Sequence, residues 1–193
     1  LSENVGRERP ARERLMQAAA ELFYAQGMAA TGIDAITARA GVARKSLYNN
    51  FSSKDELILA YIEERHREWL ALYELRAAAA QSPRDRVLAV FDAYIDHANA
   101  AYINGFRGCG LLNAAAELPA GVPGRVTVRK HKEQVEALLL EGLTEIMDPD
   151  RAENLAEQLA FILEGAVARA GLEGSDQRLV HARAITASLL DAA

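Results

Sequence analysis

Apolar residues recur at three- and four-residue steps along almost the whole chain, with glycine and proline placed at the breaks, and that period specifies α-helix with no strand standing out. Between about Pro10 and Gln26, Leu15, Ala18, Ala19, Leu22 and Phe23 share one face, and Gly27 supplies a C-terminal stop. Thr31, with Asp34 three residues on, is expected to cap a short helix from about Gly32 to Ala40, with Ile33 and Ile36 inward and Gly41 ending it. A third helix, roughly Ala43 to Asn50, follows with almost no linker. Ser53 and Glu56 then form a capping box for a long fourth helix.

Three short helices with a glycine-containing turn between the second and third make a unit of about fifty residues, the helix-turn-helix pattern. In the third helix Leu47 and Phe51 are four apart and face a core with Val42, while Arg44, Lys45, Tyr48 and Asn49 share the opposite side. Cationic, hydroxyl and amide donors on an exposed helix suit phosphates and base edges in a major groove. Charge follows the same division. Residues 1 to 54 hold eight Lys/Arg against five Asp/Glu, whereas residues 55 to 193 hold fourteen against twenty-two, so a basic head sits on an acidic body although the whole chain carries −5. The tail ahead of the first helix adds Arg7 and Arg9 to that head.

The stretch from Thr31 to Leu57, TGIDAITARAGVARKSLYNNFSSKDEL, resembles the DNA-binding signature of the TetR family of bacterial and archaeal repressors. Thr31, Ile36, Ala40, Gly41, Val42, Leu47, Tyr48, Phe51, Lys54 and Leu57 all fall where that pattern wants them; residues 10 to 57 match well, the remainder only in helix count and lengths. The resemblance implies that Thr31 and Tyr48 hold phosphates, that Lys54 meets the backbone from the start of helix four, and that Arg44, Lys45, Ser46 and Asn49 lie at the groove. Thr37, Ala43 and Asn50 depart from the pattern, which bears on how phosphates are clamped rather than on the module.

The expected fold is therefore all-α with about nine helices: an N-terminal helix-turn-helix domain, residues 1 to 54, and a helical ligand-binding and dimerisation domain, residues 55 to 193. From Lys54 to about Ala79, Leu57, Ile58, Tyr61, Ile62, Trp69, Leu72 and Tyr73 keep helical spacing. Ser82 with Pro83 starts helix five, whose stripe runs Val87, Phe91, Tyr94, Ile95, Ala98 and Tyr102. Residues 105 to 110 interrupt it, a short sixth helix follows to Leu118, and 119 to 124 form a loop. A seventh helix then runs from Val126 to Met147 with Ile146 inward. The last two helices, about Pro149 to Ala170 and Ser175 to Ala192, offer Leu155, Leu159, Ile162, Leu163, Gly165 and Ala166, then Ile185, Ala187, Ser188 and Leu189, for a homodimer interface of four helices, with about half of that stripe expected to serve the chain's own core.

Aromatic and polar-tipped residues gather in the body, and Trp69, Tyr73, Phe91, Tyr94, His97, Tyr102, Phe106 and Asn113 are the candidate lining of a small-molecule effector site. Ordinary core packing explains most of them. Tyr94, His97 and Asn113 carry polar tips that a ligand could partner. The four histidines lie on four different helices without metal-motif spacing, so no metal and no cofactor is expected. Residues 108 to 110, Gly-Cys-Gly, follow no strand and read as a helix break rather than a dinucleotide loop. Cys109 has two readings, a buried inert thiol or a redox sensor beside Arg107. No nucleophile-base pair or carboxylate pair stands out, so no catalysis is expected.

These features point to a DNA-binding regulator with a palindromic double-stranded operator, released by a small molecule, the rival being a helical small-molecule-binding or scaffold protein without DNA binding. No run approaches the 18 or so apolar residues of a membrane span and the start lacks a secretion-signal pattern, so a cytoplasmic location is expected.

Overall fold

The computed structural model describes residues 10–100, 102 and 105–192; Arg7 and Arg9 lie outside them. Every regular element among the described residues is an α-helix, in the order α1 Ala11–Gln26, α2 Ile33–Ala40, α3 Arg44–Asn50, α4 Lys54–Ala78, α5 Pro83–Ala98, α6 Gly110–Glu117, α7 Pro123–Thr144, α8 Pro149–Glu173 and α9 Gln177–Asp191. The all-α expectation of about nine helices holds. The chain divides into two compact units, Leu1–Tyr61 and Ile62–Ala193, with the boundary inside α4.

In the first unit α1, α2 and α3 pack on one another around Leu15, Ala19, Phe23, Ile36, Leu47 and Phe51. Gly41 makes the turn: its φ of 63° is left-handed, which a residue with a Cβ rarely adopts, and its N–H returns to the Ala38 carbonyl. Two caps differ from expectation. Gly32, not Thr31, stands at the N-cap of α2 with no side-chain bond, because Thr31 is buried and donates its hydroxyl to the Gly27 carbonyl at 2.7 Å. Ser53 Oγ does accept from the Glu56 N–H at 3.1 Å, but the Glu56 carboxylate reaches back to the Ser52 N–H at 2.6 Å instead of to Ser53. The box is shifted by one residue, since Ser52 also donates its hydroxyl to the same oxygen.

In the second unit α7 packs against α5, α6 and α8, and α9 packs against α5 and α8. Proline sets three starts, with Ser82 and Asp148 accepting from the Asp85 and Arg151 N–H groups ahead of α5 and α8. Pro123 starts α7 three residues earlier than the apolar stripe suggests, so Pro123 and Gly124 are helix and not loop. At the other end Glu145 caps α7, leaving Ile146 outside the helix and exposed rather than inward. Helix α5 stops at Ala98, so Tyr102 is no part of its stripe.

Close backbone approaches shape this unit. A Cβ on Gly142 would stand 2.7 Å from Val87, bringing α5 and α7 together, and one on Gly171 would stand 2.4 Å from the Gly108 backbone nitrogen, seating the segment before α6 on α8. Because backbone cannot move aside as a side chain can, Gly171→Ala is expected to destabilise by about 1–3 kcal/mol. Calorimetry of the variant should show a Tm lowered by several degrees; an unchanged Tm would mean that this contact does not constrain the unit.

Candidate nucleic-acid interface and interior polar cluster

Helix α3 has only seven residues, and its position comes from what it buries: Leu47 is wholly inaccessible and Phe51, just past its end, is 1% exposed. With that face fixed, Arg44, Lys45, Tyr48 and Asn49 are exposed, Tyr48 at 47%. Arg44 is held by Asp34 of α2 at 3.1 Å and lies over the Tyr48 ring at 6.0 Å, so its guanidinium is oriented along the outer surface of the helix pair. Ser46 is half-buried and its carbonyl accepts from the Asn50 side chain at 2.7 Å. Lys54 opens α4 and donates to the Met28 carbonyl at 2.7 Å. The structure thus gathers Arg44, Lys45, Tyr48 and Asn49 on one outward face, with Thr31 beneath the surface and Lys54 tied to the segment after α1.

The second unit holds a polar cluster inside its helices. Lys132 on α7 donates to Glu164 of α8 at 2.7 Å and to the Tyr94 hydroxyl of α5 at 3.2 Å, with Cys109 Sγ at 3.6 Å. Tyr94 Oη stands 3.4 Å from His131 Nε2, and His131 Nδ1 stands 2.9 Å from His66 Nδ1 on α4. Trp69 stacks on Tyr73 at 5.9 Å and touches Tyr94 at 5.1 Å. Burial opposes the charge of Lys132, but Tyr94, Cys109 and Glu164 outweigh it and hold the ammonium above its ordinary value. Burial pushes the Tyr94 phenol up despite Lys132.

Of the eight candidate lining residues, Trp69, Tyr73 and Tyr94 meet in this cluster. His97, Tyr102 and Phe106 form an adjoining aromatic group, with Tyr102 Oη 3.0 Å from His97 Nδ1. Phe91 is fully buried on α5, and among the described residues no ring contact joins it to the cluster. Asn113 does not join them: it is exposed on α6 and holds the Arg107 carbonyl at 3.1 Å, because Leu111, Ala114 and Ala115 are the inward positions there. His66, His131, Lys132 and Glu164 were absent from the candidate set. Periodicity carried a signal for two of them, since His66 continues the stripe Ile62, Trp69, Tyr73 and His131 lies between Val128 and Val135.

On α8 the candidate interface residues Leu159, Leu163 and Ala166 are buried within the chain, while Leu155 and Ile162 are half-buried. The outward stripe holds the expected Gly165 together with Phe161, 66% exposed, Ala168 and Leu172, at four-, three- and four-residue steps. On α9, the candidates Ile185, Ser188 and Leu189 are exposed, beside Val180 and Ala184.

Residues 15–61 match the family model for bacterial regulatory proteins of the tetR family. The crystal structure of SCO4454, a TetR-family transcriptional regulator from Streptomyces coelicolor, superposes with a TM-score of 0.83 at 32% identity over 93% of this chain and 95% of that one. The chain belongs to the TetR family. A second TetR transcriptional regulator, sav143 from Streptomyces avermitilis, is also 32% identical, over 95% of this chain and 99% of its own, with a TM-score of 0.77. The transcriptional activator FasR from Mycolicibacterium smegmatis is 35% identical over 85 residues, so the match spans 44% of this chain and 39% of FasR. These relatives of the TetR-family chain are regulators and not enzymes, in line with the expected absence of catalysis. No described helix is long and apolar enough to cross a membrane.

Two histidines give this TetR-family chain a pH dependence. Burial, aided by Arg65 and Lys132, pulls His97 down to about 4, and burial with Lys132 and the other histidines pulls His131 down to about 3. Both are neutral in the folded chain near pH 7. Unfolded they titrate near 6.5, so between that value and the folded ones the unfolded state binds more protons. Stability is full above pH ~6.5 and falls as the pH drops toward 4. Urea midpoints are expected to decline from pH 7 to pH 5, by at most ~1.4 kcal/mol per pH unit and histidine, and the decline should be shallower in His97→Gln. A midpoint independent of pH would show that neither group is held neutral.

Proposed function

We propose that the chain is a DNA-binding transcriptional regulator that acts as a homodimer on a palindromic operator and is released from it by a small molecule. The observation that carries this reading is the two-sided α3: Leu47 and Phe51 lock the helix from below while Arg44, Lys45, Tyr48 and Asn49 stand outward. Such a face presents charge-assisted donors to phosphates and amide and guanidinium groups to base edges. Ser46 lies at its margin. Thr31 acts from below by fixing the segment between α1 and α2, and Lys54 contributes once its ammonium exchanges the Met28 carbonyl for a phosphate.

One such head makes few phosphate contacts, so two copies are required for tight binding, and half-sites one helical turn apart read a palindrome. The outward faces of α8 and α9 are the surface through which they pair. Phe161, Leu172 and Ile185, exposed in the single chain, become the buried centre, with Ile162, Ser188 and Leu189 around them. The ligand acts by favouring a dimer whose recognition helices no longer match the half-site spacing. That FasR is an activator leaves the sign of regulation open to the opposite outcome for this chain, which a promoter-reporter assay with and without the regulator decides.

A gel shift on a selected palindromic duplex is expected to weaken steeply with salt, and Tyr48→Ala combined with Lys45→Ala should cost about tenfold or more in affinity. Unaltered binding by that double variant would remove α3 from the interface. Phe161→Asp with Ile185→Asp should sediment as a folded monomer at micromolar concentration and lose operator affinity. A dimer surviving both charges would place the pairing surface elsewhere.

A further inference from the structure

The hydrogen-bond thread from Lys132 to His66 has a fixed direction. An ammonium only donates, so the Tyr94 oxygen accepts from Lys132, and its one hydrogen is left for His131 Nε2. A neutral His131 that accepts at Nε2 carries its hydrogen on Nδ1, which donates to His66 Nδ1. His66, accepting there, carries its own hydrogen on Nε2. Burial lowers the pKa of both histidines, which favours neutral rings. His66 therefore presents an N–H that no described residue accepts.

Trp69, one turn along the same face of α4, presents a second. It is 97% buried by its 3% exposure, and its Nε1 has no partner. His131 stands edge-on to both rings, 5.1 Å from His66 and 5.2 Å from Trp69, but both of its nitrogens are occupied, so it cannot accept from the indole. A buried donor without a partner destabilises the fold, and an acceptor that reaches it recovers the loss. The neighbours of the indole are aromatic, with Trp69 and Tyr73 nearly parallel at 8° and Tyr94 against Trp69. Charge is already balanced: Lys132 is matched by Glu164, whose second oxygen, Oε2, is itself buried without a donor.

We infer that this cluster takes an uncharged, planar aromatic compound whose carbonyl oxygen accepts from Trp69 Nε1–H, with His66 Nε2–H as second donor. The inference rests on the effector site proposed above and names its chemistry. A protonated arylmethylamine brings a second positive charge beside Lys132, whose ammonium Glu164 already matches. An arylcarboxylate brings an unmatched charge into a low-dielectric interior and sets it near Glu164 Oε2.

Four probes on one bicyclic frame separate these cases: 2-acetylnaphthalene, 2-ethylnaphthalene, 2-naphthoate and 2-naphthylmethylamine, titrated into the full chain by calorimetry. The ketone is expected to bind about tenfold more tightly than the ethyl compound, as a recovered buried hydrogen bond allows, and both charged probes more weakly still. In Trp69→Phe the advantage of the ketone over the ethyl compound should vanish while ethyl binding persists. Trp69 is the one tryptophan of the chain, so its indole N–H gives a single resonance that should move downfield with ketone and not with hydrocarbon in the unaltered protein. The assignment is overturned if the amine or carboxylate binds best, if Trp69→Phe keeps the ketone's advantage, or if no probe binds and only an ordered water sits on the indole. A ketone that moves the indole resonance yet leaves operator affinity unchanged supports this chemistry and refutes ligand-controlled release instead. Release of DNA by the amine alone refutes the chemistry and leaves release standing.

Discussion

A helix of seven residues cannot hold itself together in water, because the cost of its first turn exceeds what so few hydrogen bonds return. Helix α3 exists because Leu47 and Phe51 are driven wholly into the core of the first unit and because Gly41 takes the left-handed turn that brings the chain back after α2. Everything on its other side inherits that placement. Arg44, Lys45, Tyr48 and Asn49 make little contact with the rest of the unit beyond the Arg44 link to Asp34, so their common orientation is a consequence of apolar burial and not of their own polar contacts. The polar outward face of α3 is in this sense a by-product of packing.

That division of labour explains what could be read from residues alone. Helix content, the Gly41 turn and the inward placement of Ile36, Leu47 and Phe51 follow from period and turn chemistry, which are local. Caps were less legible, since Thr31 and Glu56 each had two short-range choices of similar geometry and took the one that tertiary burial or a neighbouring serine favoured. The start of α7 was hidden because Pro123 and Gly124 carry no apolar periodicity, although proline at the first helical position fits the helix without loss. Ile146 is apolar and in phase, yet it lies beyond the end of its helix, where phase has no meaning.

The second unit was harder because α8 is apolar or small on two sides. Ala152, Leu159, Leu163, Ala166 and Ala170 face the chain's own core, and Phe161, Gly165, Ala168 and Leu172 face outward. A sequence stripe gives the angle of each residue but not which of two stripes meets which neighbour, so the expected set mixed Leu159, Leu163 and Ala166 from the inner one with Gly165 from the outer. The interior cluster illustrates a related limit. His66 and His131 are 65 residues apart and join only when α4 and α7 are packed, and the half-buried Lys132 is matched only because Glu164 arrives from α8.

Polar groups inside a helical bundle stabilise it poorly compared with hydrocarbon of the same shape, and a buried ion pair recovers its desolvation only with good geometry and further hydrogen bonds. Lys132 meets that condition, having Glu164 at 2.7 Å and Tyr94 at 3.2 Å, and the bonds run on through His131 to His66. The thread therefore binds α8, α7, α5 and α4 into one arrangement more selectively than interchangeable apolar contacts would, since a shifted helix would strand a charge or a lone pair and not merely exchange one methyl neighbour for another. That economy is incomplete at Glu164 Oε2, a buried acceptor without a partner, and at Trp69 Nε1, a buried donor without one. A compound that satisfies it can redistribute the helices only to the extent that it binds one arrangement better than another. The direction of the hydrogen bonds makes such a preference possible, because an acceptor at His66 acts on the thread that ends at Glu164, on the helix whose outward side carries Phe161 and Gly165.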